Sequence, residues 1–583
     1  MQVVLATLNA KFIHSSLALR YLKQYCQAAH PAITIKEYTI NNEGLYILGD
    51  IFQARPDVLG LVCYIWNREA VLALAALVKK VLPGTAIVLG GPEVTYDAAA
   101  VLQENPAVDF VIQGEGEEAF AALLGVLSVG RPVEGIAGVA FRREGESVAS
   151  EPQVVARLAR LPFPYDDDMA ELKDKIIYYE SSRGCPFACS YCLSSTTRGV
   201  RFFDTDRVLA ELAFFISHDV RQVKFVDRTF NARREHYWPI LRFLAAADCR
   251  TNFHFEIAAD RLDDDIVEFL ATAPIGRFQF EIGVQSTHDA TLQAINRKND
   301  WPRLTRHVRA LRAAGNIHLH LDLIVGLPFE NYQQFGQSFN TVYQLQPHML
   351  QLGFLKMLKG SAIREQVAIH GYVFMDDAPY EVLANHYLTY AEIRRLKIME
   401  ELFNQLYNSG RFGATLAWLV SGYGGEAFLL YDALTTYWEE RGLHRVAHSA
   451  KALYRYIADF SAAVRPESKE TCMAFLRFDA LMSEQGTTRP AFLPWSEGQW
   501  ADQKSSFWRD EALVRRYLPD YRFTTWRDIN NKYHIEVFPF DLPGYLTQPG
   551  EMRPEATAVM FSYSDRGVEY QMVAVTDFWP GKG

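Results

Sequence analysis

The sequence predicts an α/β protein of several domains: a Rossmann-like parallel sheet, a partial β/α barrel, and a mostly helical domain that ends in short strands. Three observations predict it. At about 150 residues per ordinary domain, and roughly 200–250 for a barrel, a chain of 583 residues holds several units. Strand-like and helical segments alternate through the first two-thirds, which is the pattern of parallel sheets covered by helices. Beyond about residue 370 the alternation gives way to amphipathic helices. Hydrophobic residues at 49% against 22% charged supply large cores and exclude a disordered chain.

The elements follow in order. MQVVLATL, AITIKEYTI, DVLGLVCYIW, TAIVLGG and DFVIQG read as strands, with helices over SSLALRYLKQYCQAA, GDIFQA, EAVLALAALVKKVL and EEAFAALLGVL. This series defines a first domain over 1–135. A linker over 136–170 contains a hairpin, GIAGVAFRREGESVAS, and the acidic, proline-containing LPFPYDDD. A second series, KIIYYESSRGC, VKFVDRTF, NFHFEIAAD, RFQFEIGVQS, HLHLDLIVGLP and HMLQLGFLKML, suits a partial or complete parallel barrel over 171–370. Chemistry in such barrels gathers at the C-terminal strand ends. The remainder, 371–583, is helical and finishes with KYHIEVFPF, TAVMFSYSD and YQMVAVTDF as strands.

Composition excludes several functions. The net charge of −10 disfavours a nucleic-acid binder, which normally shows a basic excess. No apolar run is long enough to cross a bilayer, and the opening MQVVLATLNAKFIHSS lacks the features of a secretion signal, so a cytoplasmic protein is expected. Seven cysteines, an odd number with three clustered, point to a metal site in a reducing compartment and away from a disulfide scaffold.

That cluster is Cys185, Cys189 and Cys192, spaced C-x3-C-x2-C in a loop just after a strand. No fourth cysteine or histidine follows nearby to close a structural zinc site. Three thiolates suit three irons of a [4Fe–4S] cluster whose fourth iron stays open. Zinc completed from a distance, or plain buried cysteines, are the competing readings.

On this motif the barrel region resembles the radical S-adenosylmethionine (SAM) superfamily. The resemblance implies that the open iron chelates SAM and that reductive cleavage yields a deoxyadenosyl radical. Tyr191 matches the position beside the adenine. Gln285 in FEIGVQS, Arg297 in INRKND and Asp322 in LDLIVGLP recur as in the oxygen-independent coproporphyrinogen oxidase branch, which implies SAM contacts for Glu256, Gln285, Arg297 and Asp322. Ile324, with Gly326, is expected to offer backbone to the adenine, and Asp227 in VDRTFN resembles an acidic position near the SAM amino group. Its usual acidic neighbour is Arg228 here.

The first domain resembles the cobalamin-binding domain of one large radical SAM class. The residues that carry this are Gly90, Gly91, Pro92 and Glu93, and Gly114, Glu115 and Gly116. Glycines at strand ends let backbone approach a planar ligand. The Asp-x-His-x-x-Gly signature of an axial histidine is absent, and His14 reads as a helix-start residue. Tyr64, Trp66 and Asn67 form a loop placed to lie over the corrin, or else a partly buried aromatic turn.

The resemblance implies a cobalamin-dependent radical SAM methyltransferase with a [4Fe–4S] cluster, SAM and cobalamin, fed by a flavodoxin- or ferredoxin-type reductant. The catalytic residues are not assigned. A non-methylating rearrangement or cyclisation is the alternative, and a cobalamin-binding sensor a further one. A sulfur-inserting RNA modifier would want a second cysteine cluster, which is missing. A small molecule or peptide is favoured as substrate over nucleic acid, with no membrane partner.

Overall fold

Strand β1 (Val3–Asn9) is buried along its whole length, the mark of a strand covered on both faces. Alternate residues divide between two cores: Val4, Ala6 and Leu8 enter one, Val3 and Leu5 the other. In this computed structural model all residues are described except 167–168, 198, 484–488, 497, 549, 551, 565–566 and 580–583. Two aspartates of the acidic LPFPYDDD run therefore lie outside the described residues.

The strands β2 (Ile33–Thr39), β3 (Val58–Val62), β4 (Ala86–Gly90) and β5 (Phe110–Ile112) extend β1 in the order β2-β1-β3-β4-β5, all parallel. Helices Leu17–Cys26, Gly44–Ala54, Arg68–Val81 and Gly116–Ser128 fall where their periodicity predicts. The hairpin of β6 (Val139–Arg143) and β7 (Glu146–Val148) forms as expected and continues this sheet antiparallel to β5. Two short helices, Pro92–Thr95 and Ala98–Glu104, were not anticipated, because neither is long enough to show a period.

The second series begins with β8 (Ile177–Tyr179). An antiparallel hairpin follows, β9 (Ser182–Cys185) with β10 (Gly199–Phe202). The strands β11 (Gln222–Phe225), β12 (Asn252–Ile257), β13 (Phe278–Gln285), β14 (His318–Val325) and β15 (Met349–Phe354) then build a parallel sheet. Its order, β15-β14-β13-β12-β11-β8, leaves β15 and β8 as edges, so the barrel is partial and open. Along β13 the apolar residues Phe278, Phe280, Ile282 and Val284 are buried, while Gln279, Glu281, Gly283 and Gln285 share the other face.

The chain divides into two compact units, Met1–Ile393 and Arg394–Gly583. The second contains helices Gly413–Ser421, Ala427–Glu440, Ala450–Val464 and Lys469–Ser483. It closes on a three-stranded antiparallel sheet at the three segments read as strands. No helix among the described residues is long and apolar enough to cross a membrane.

Candidate metal centre and cofactor cavity

The cysteine loop hangs from the β9–β10 hairpin. Gly184 has φ +102°, and a Cβ there would lie 2.1 Å from the Gly199 carbonyl oxygen, so only glycine lets the strands close beside Cys185. The loop is then tied down by backbone. Ser190 N donates to Ile295 O (2.9 Å), Ile363 N donates to Ser190 O (2.9 Å), and Asn296 Nδ2 donates to Ala188 O (2.9 Å). Burial raises the Cys185 thiol above its ordinary pKa, and Thr229 Oγ1 at 3.5 Å partly offsets this.

The three cysteines line one cavity of about 180 Å3, together with Tyr191, Glu256, Gln285, Arg297 and Asp322. Residues spread over more than 130 positions of sequence thus meet at the C-terminal ends of the strands. A single zinc ion, with Zn–S bonds of about 2.3 Å, draws its sulfurs to roughly 3.8 Å apart. A structural zinc ion of this type closes its shell with four thiolate or imidazole ligands, and the cavity wall offers three cysteines and no histidine. A [4Fe–4S] cube takes one cysteine on each of three irons, which this donor set fits.

The remaining cavity residues carry strain and unmet hydrogen bonding. Gln285 has φ +72°, at a register shift between β13 and β14, and its buried Oε1 has no partner. Arg297 reaches Cys189 Sγ at 3.8 Å and is held by the Gly283 carbonyl and by Asn299 Oδ1 (3.1 Å). Burial, with the negative charge of Glu281 beside it, pushes Glu256 up to about 7. Burial also raises Asp322, against the pull of His320.

Two of the expected SAM residues do not line this cavity. Asp227 is fully buried and accepts from Ser181 N (2.8 Å), Ser181 Oγ (2.7 Å) and Ser182 Oγ (2.5 Å), so it pins the chain leading into β9. Ile324 lies on β14 two residues beyond Asp322 but is not part of the cavity wall. Sequence reasoning missed Glu281, Arg228 and Thr229, which do line it. The alternation along β13 was the available signal for Glu281, which shares a face with Gln285.

In the first domain, most of the expected cobalamin residues already have partners within the chain. A Cβ on Gly91 (φ +112°) would lie 2.5 Å from Cys63 O, and one on Gly114 (φ +84°) would lie 2.2 Å from Gln153 O. Neighbouring Gly90 and Gly116 stand at the end of β4 and the start of the helix Gly116–Ser128. Pro92 begins the helix Pro92–Thr95, and Glu93 accepts from the Tyr380 hydroxyl. Glu115 accepts from Val155 N (2.7 Å) and pairs with Arg183 (3.2 Å) and Arg201. Arg183 also reaches Glu117 (2.6 Å) and Glu180 (2.7 Å), so this network bolts the first sheet to the cysteine hairpin.

Asn67 is buried and pins its own loop through Leu8 O (3.1 Å), Val62 O (3.1 Å) and Tyr64 N (2.7 Å). Tyr64 and Trp66 stack at 4.4 Å. Trp66 is 47% exposed and Phe12 70% exposed, in the loops at the ends of the adjacent strands β3 and β1. An exposed aromatic face beside small strand ends suits a broad planar ligand such as a corrin. His14 Nδ1 and the Tyr178 hydroxyl share a hydrogen bond of 2.7 Å.

Comparison with known proteins agrees with this architecture. Residues 3–124 match the B12 binding domain, 179–342 the radical SAM superfamily, and 368–561 a protein family of unknown function, DUF4080. The chain is 31% identical to the cobalamin-dependent radical SAM methyltransferase TokK of Streptomyces tokunonensis, over 50% of this chain and 46% of that protein. It is 26% identical to the anaerobic magnesium-protoporphyrin IX monomethyl ester cyclase of Synechocystis sp., over 42% and 50%. The chain thus spans about half the length of these curated relatives. Its fold resembles the cobalamin-dependent SAM radical enzyme OxsB solved with aqua-cobalamin and SAM. The TM-score is 0.59, at 14% identity, covering 82% of this chain and 80% of that one. The domain types matched are those that take a [4Fe–4S] cluster with SAM, and cobalamin.

Proposed function

We propose, from a chain that carries a B12 binding domain ahead of a radical SAM domain, that this protein transfers a methyl group to an unactivated carbon. The observation that carries the reading is the cavity in which three cysteines meet Tyr191, Glu256, Gln285, Arg297 and Asp322. When bound, the cluster supplies the electron that cleaves SAM, and cobalamin supplies the methyl group that is transferred.

The chain's own residues hold and orient. Cys185, Cys189 and Cys192 ligate three irons. Arg297, placed against Cys189, compensates thiolate charge and is positioned for the SAM carboxylate. The unpaired Gln285 Oε1 accepts from a SAM donor group, and Glu256 and Asp322 take the ribose hydroxyls and the amine. Asp227 acts as a positioning residue, because its three hydrogen bonds fix the strand that leads to Cys185. Trp66 and Tyr64 meet the corrin face.

We assign the first domain to 1–135, the barrel to 171–370 and the last domain to 371–583. A flavodoxin- or ferredoxin-type donor supplies electrons in the cytoplasm, and the substrate is a small molecule or peptide. The likeness to the magnesium-protoporphyrin ester cyclase favours a second reading, radical cyclisation without methyl transfer. Incubation with methyl-labelled SAM under reductant decides: label in the product supports methyl transfer. An unlabelled product with deoxyadenosine supports cyclisation, and absence of deoxyadenosine overturns both.

A further inference from the structure

Below the expected SAM contacts, one step deeper along the same strand faces, lies a second polar cluster that shares only Asp322 with them. It comprises Lys224 on β11, His254 on β12, Glu281 on β13 and His320 with Asp322 on β14. The register explains the meeting. Lys224 pairs with His254, Glu256 with Glu281, and Glu281 with His320, so the parallel sheet sets these residues side by side on one face.

Metal-competent atoms of Glu281, His320 and Asp322 all lie within 4.8 Å of one another. His254 Nε2 is 3.1 Å from Glu281 Oε2, and His320 Nε2 is 2.9 Å from Asp322 Oδ1. Both imidazoles are 7% exposed. Yet His254 Nε2, His320 Nε2 and Asp322 Oδ1 make no hydrogen bond: the pairs are close but off the line that a bond requires. Burying such atoms unpaired is costly, and the donors of Glu281, His320 and Asp322 converging on one point without bonding each other is how a ligand set looks around its ion. Lys224 Nζ, 3.2 Å from Glu281 Oε2, supplies one positive charge and leaves Asp322 without a fixed cation of its own.

We propose that Glu281, His320 and Asp322 bind a divalent first-row transition-metal ion, zinc being the reference case. Mixed imidazole and carboxylate donors suit zinc, iron or manganese better than magnesium or calcium. Ligand separations of this size contract to the roughly 3.3 Å of a tetrahedral site with bonds near 2.0 Å through small rotamer changes. Glu281 and Asp322 also line the cluster cavity, so the ion stands at its wall, where a displaceable position accepts a lone-pair donor such as a substrate carboxylate or amine. This site does not depend on the outcome of SAM cleavage.

The test uses the reconstituted full chain, its cysteines occupied by the cluster, equilibrated with Zn2+ and desalted, with zinc and iron counted by mass spectrometry. About one zinc is expected beside the cluster's four irons. His320→Asn and Glu281→Gln should each weaken zinc binding by about tenfold or more while the irons remain. Lys224→Gln should tighten it, since a competing cation leaves Glu281. No zinc in the unaltered chain, or unchanged zinc in both ligand variants, overturns the site. Should a ligand variant also lose iron, Lys224→Gln decides: tighter zinc supports the site, and equal or weaker zinc overturns it.

Discussion

Replacing Gly184 with alanine tests the cluster reading at one backbone position. The residue has φ +102°, a conformation that costs an L-residue about 1–3 kcal/mol. The added Cβ would sit 2.1 Å from the Gly199 carbonyl oxygen. A carbon–oxygen contact relaxes only near 3.3 Å, so the strands must part by about 1 Å. That breaks the Val200–Gly184 and Gly199–Cys185 pairing and forfeits roughly 1 kcal/mol for each ladder bond. Strain and lost bonds together approach about 4 kcal/mol at the residue next to the first cysteine ligand. Gly199 is the internal control, because its φ is also positive (+78°) but a Cβ there meets nothing within 4 Å. Iron and sulfide per chain after anaerobic reconstitution are the readout. Gly184→Ala should lose most of its cluster and Gly199→Ala should keep it. Equal iron in the two variants would refute the reasoning.

Three further outcomes are expected. Cys189→Ala should abolish cluster absorbance and SAM cleavage while cobalamin still binds; retained cleavage would defeat the ligand assignment. Arg183→Ala leaves Glu117 and Glu180 buried without their shared cation, while Glu115 keeps Arg201, so the melting transition of the first unit should fall by an amount equivalent to about 3–5 kcal/mol. Asp479, buried in the second unit, accepts from Ala414 N (2.9 Å) and Thr415 N (2.8 Å), and burial pushes its carboxyl up to about 7. Its proton is held more tightly folded than unfolded, so the contribution to stability is complete below about pH 4 and lost as pH rises through about 7, roughly 4 kcal/mol in all. Melting profiles between these values should flatten in Asp479→Asn, and an unaltered slope would contradict the assignment.

Much of the site was legible because its signals are local. The C-x3-C-x2-C spacing lies within eight residues, and Gln285, Arg297 and Asp322 stand in short recognisable strings. Strand alternation on β13 would also have yielded Glu281, had the face of Gln285 been followed back along the strand. Asp227 illustrates the limit. Its neighbours in sequence resemble a cofactor motif, but whether a carboxylate points into a cavity or onto Ser181 and Ser182 depends on strands that meet only on folding. Glu115 is similar: the turn that bears it is recognisable, but its partners Arg183 and Arg201 come from a hairpin more than 60 residues away.

What the amino-acid order determines here is periodicity and ligand chemistry: which segments bury one face or two, and which side chains offer thiolate, imidazole or carboxylate. Only the folded sheet decides pairing, since register sets which of those side chains share a face and how far apart they stand. The convergence of Glu281, His320 and Asp322 within 4.8 Å is a consequence of that register. A distance between residues remote in sequence is a property of strands laid side by side, and no single strand contains it.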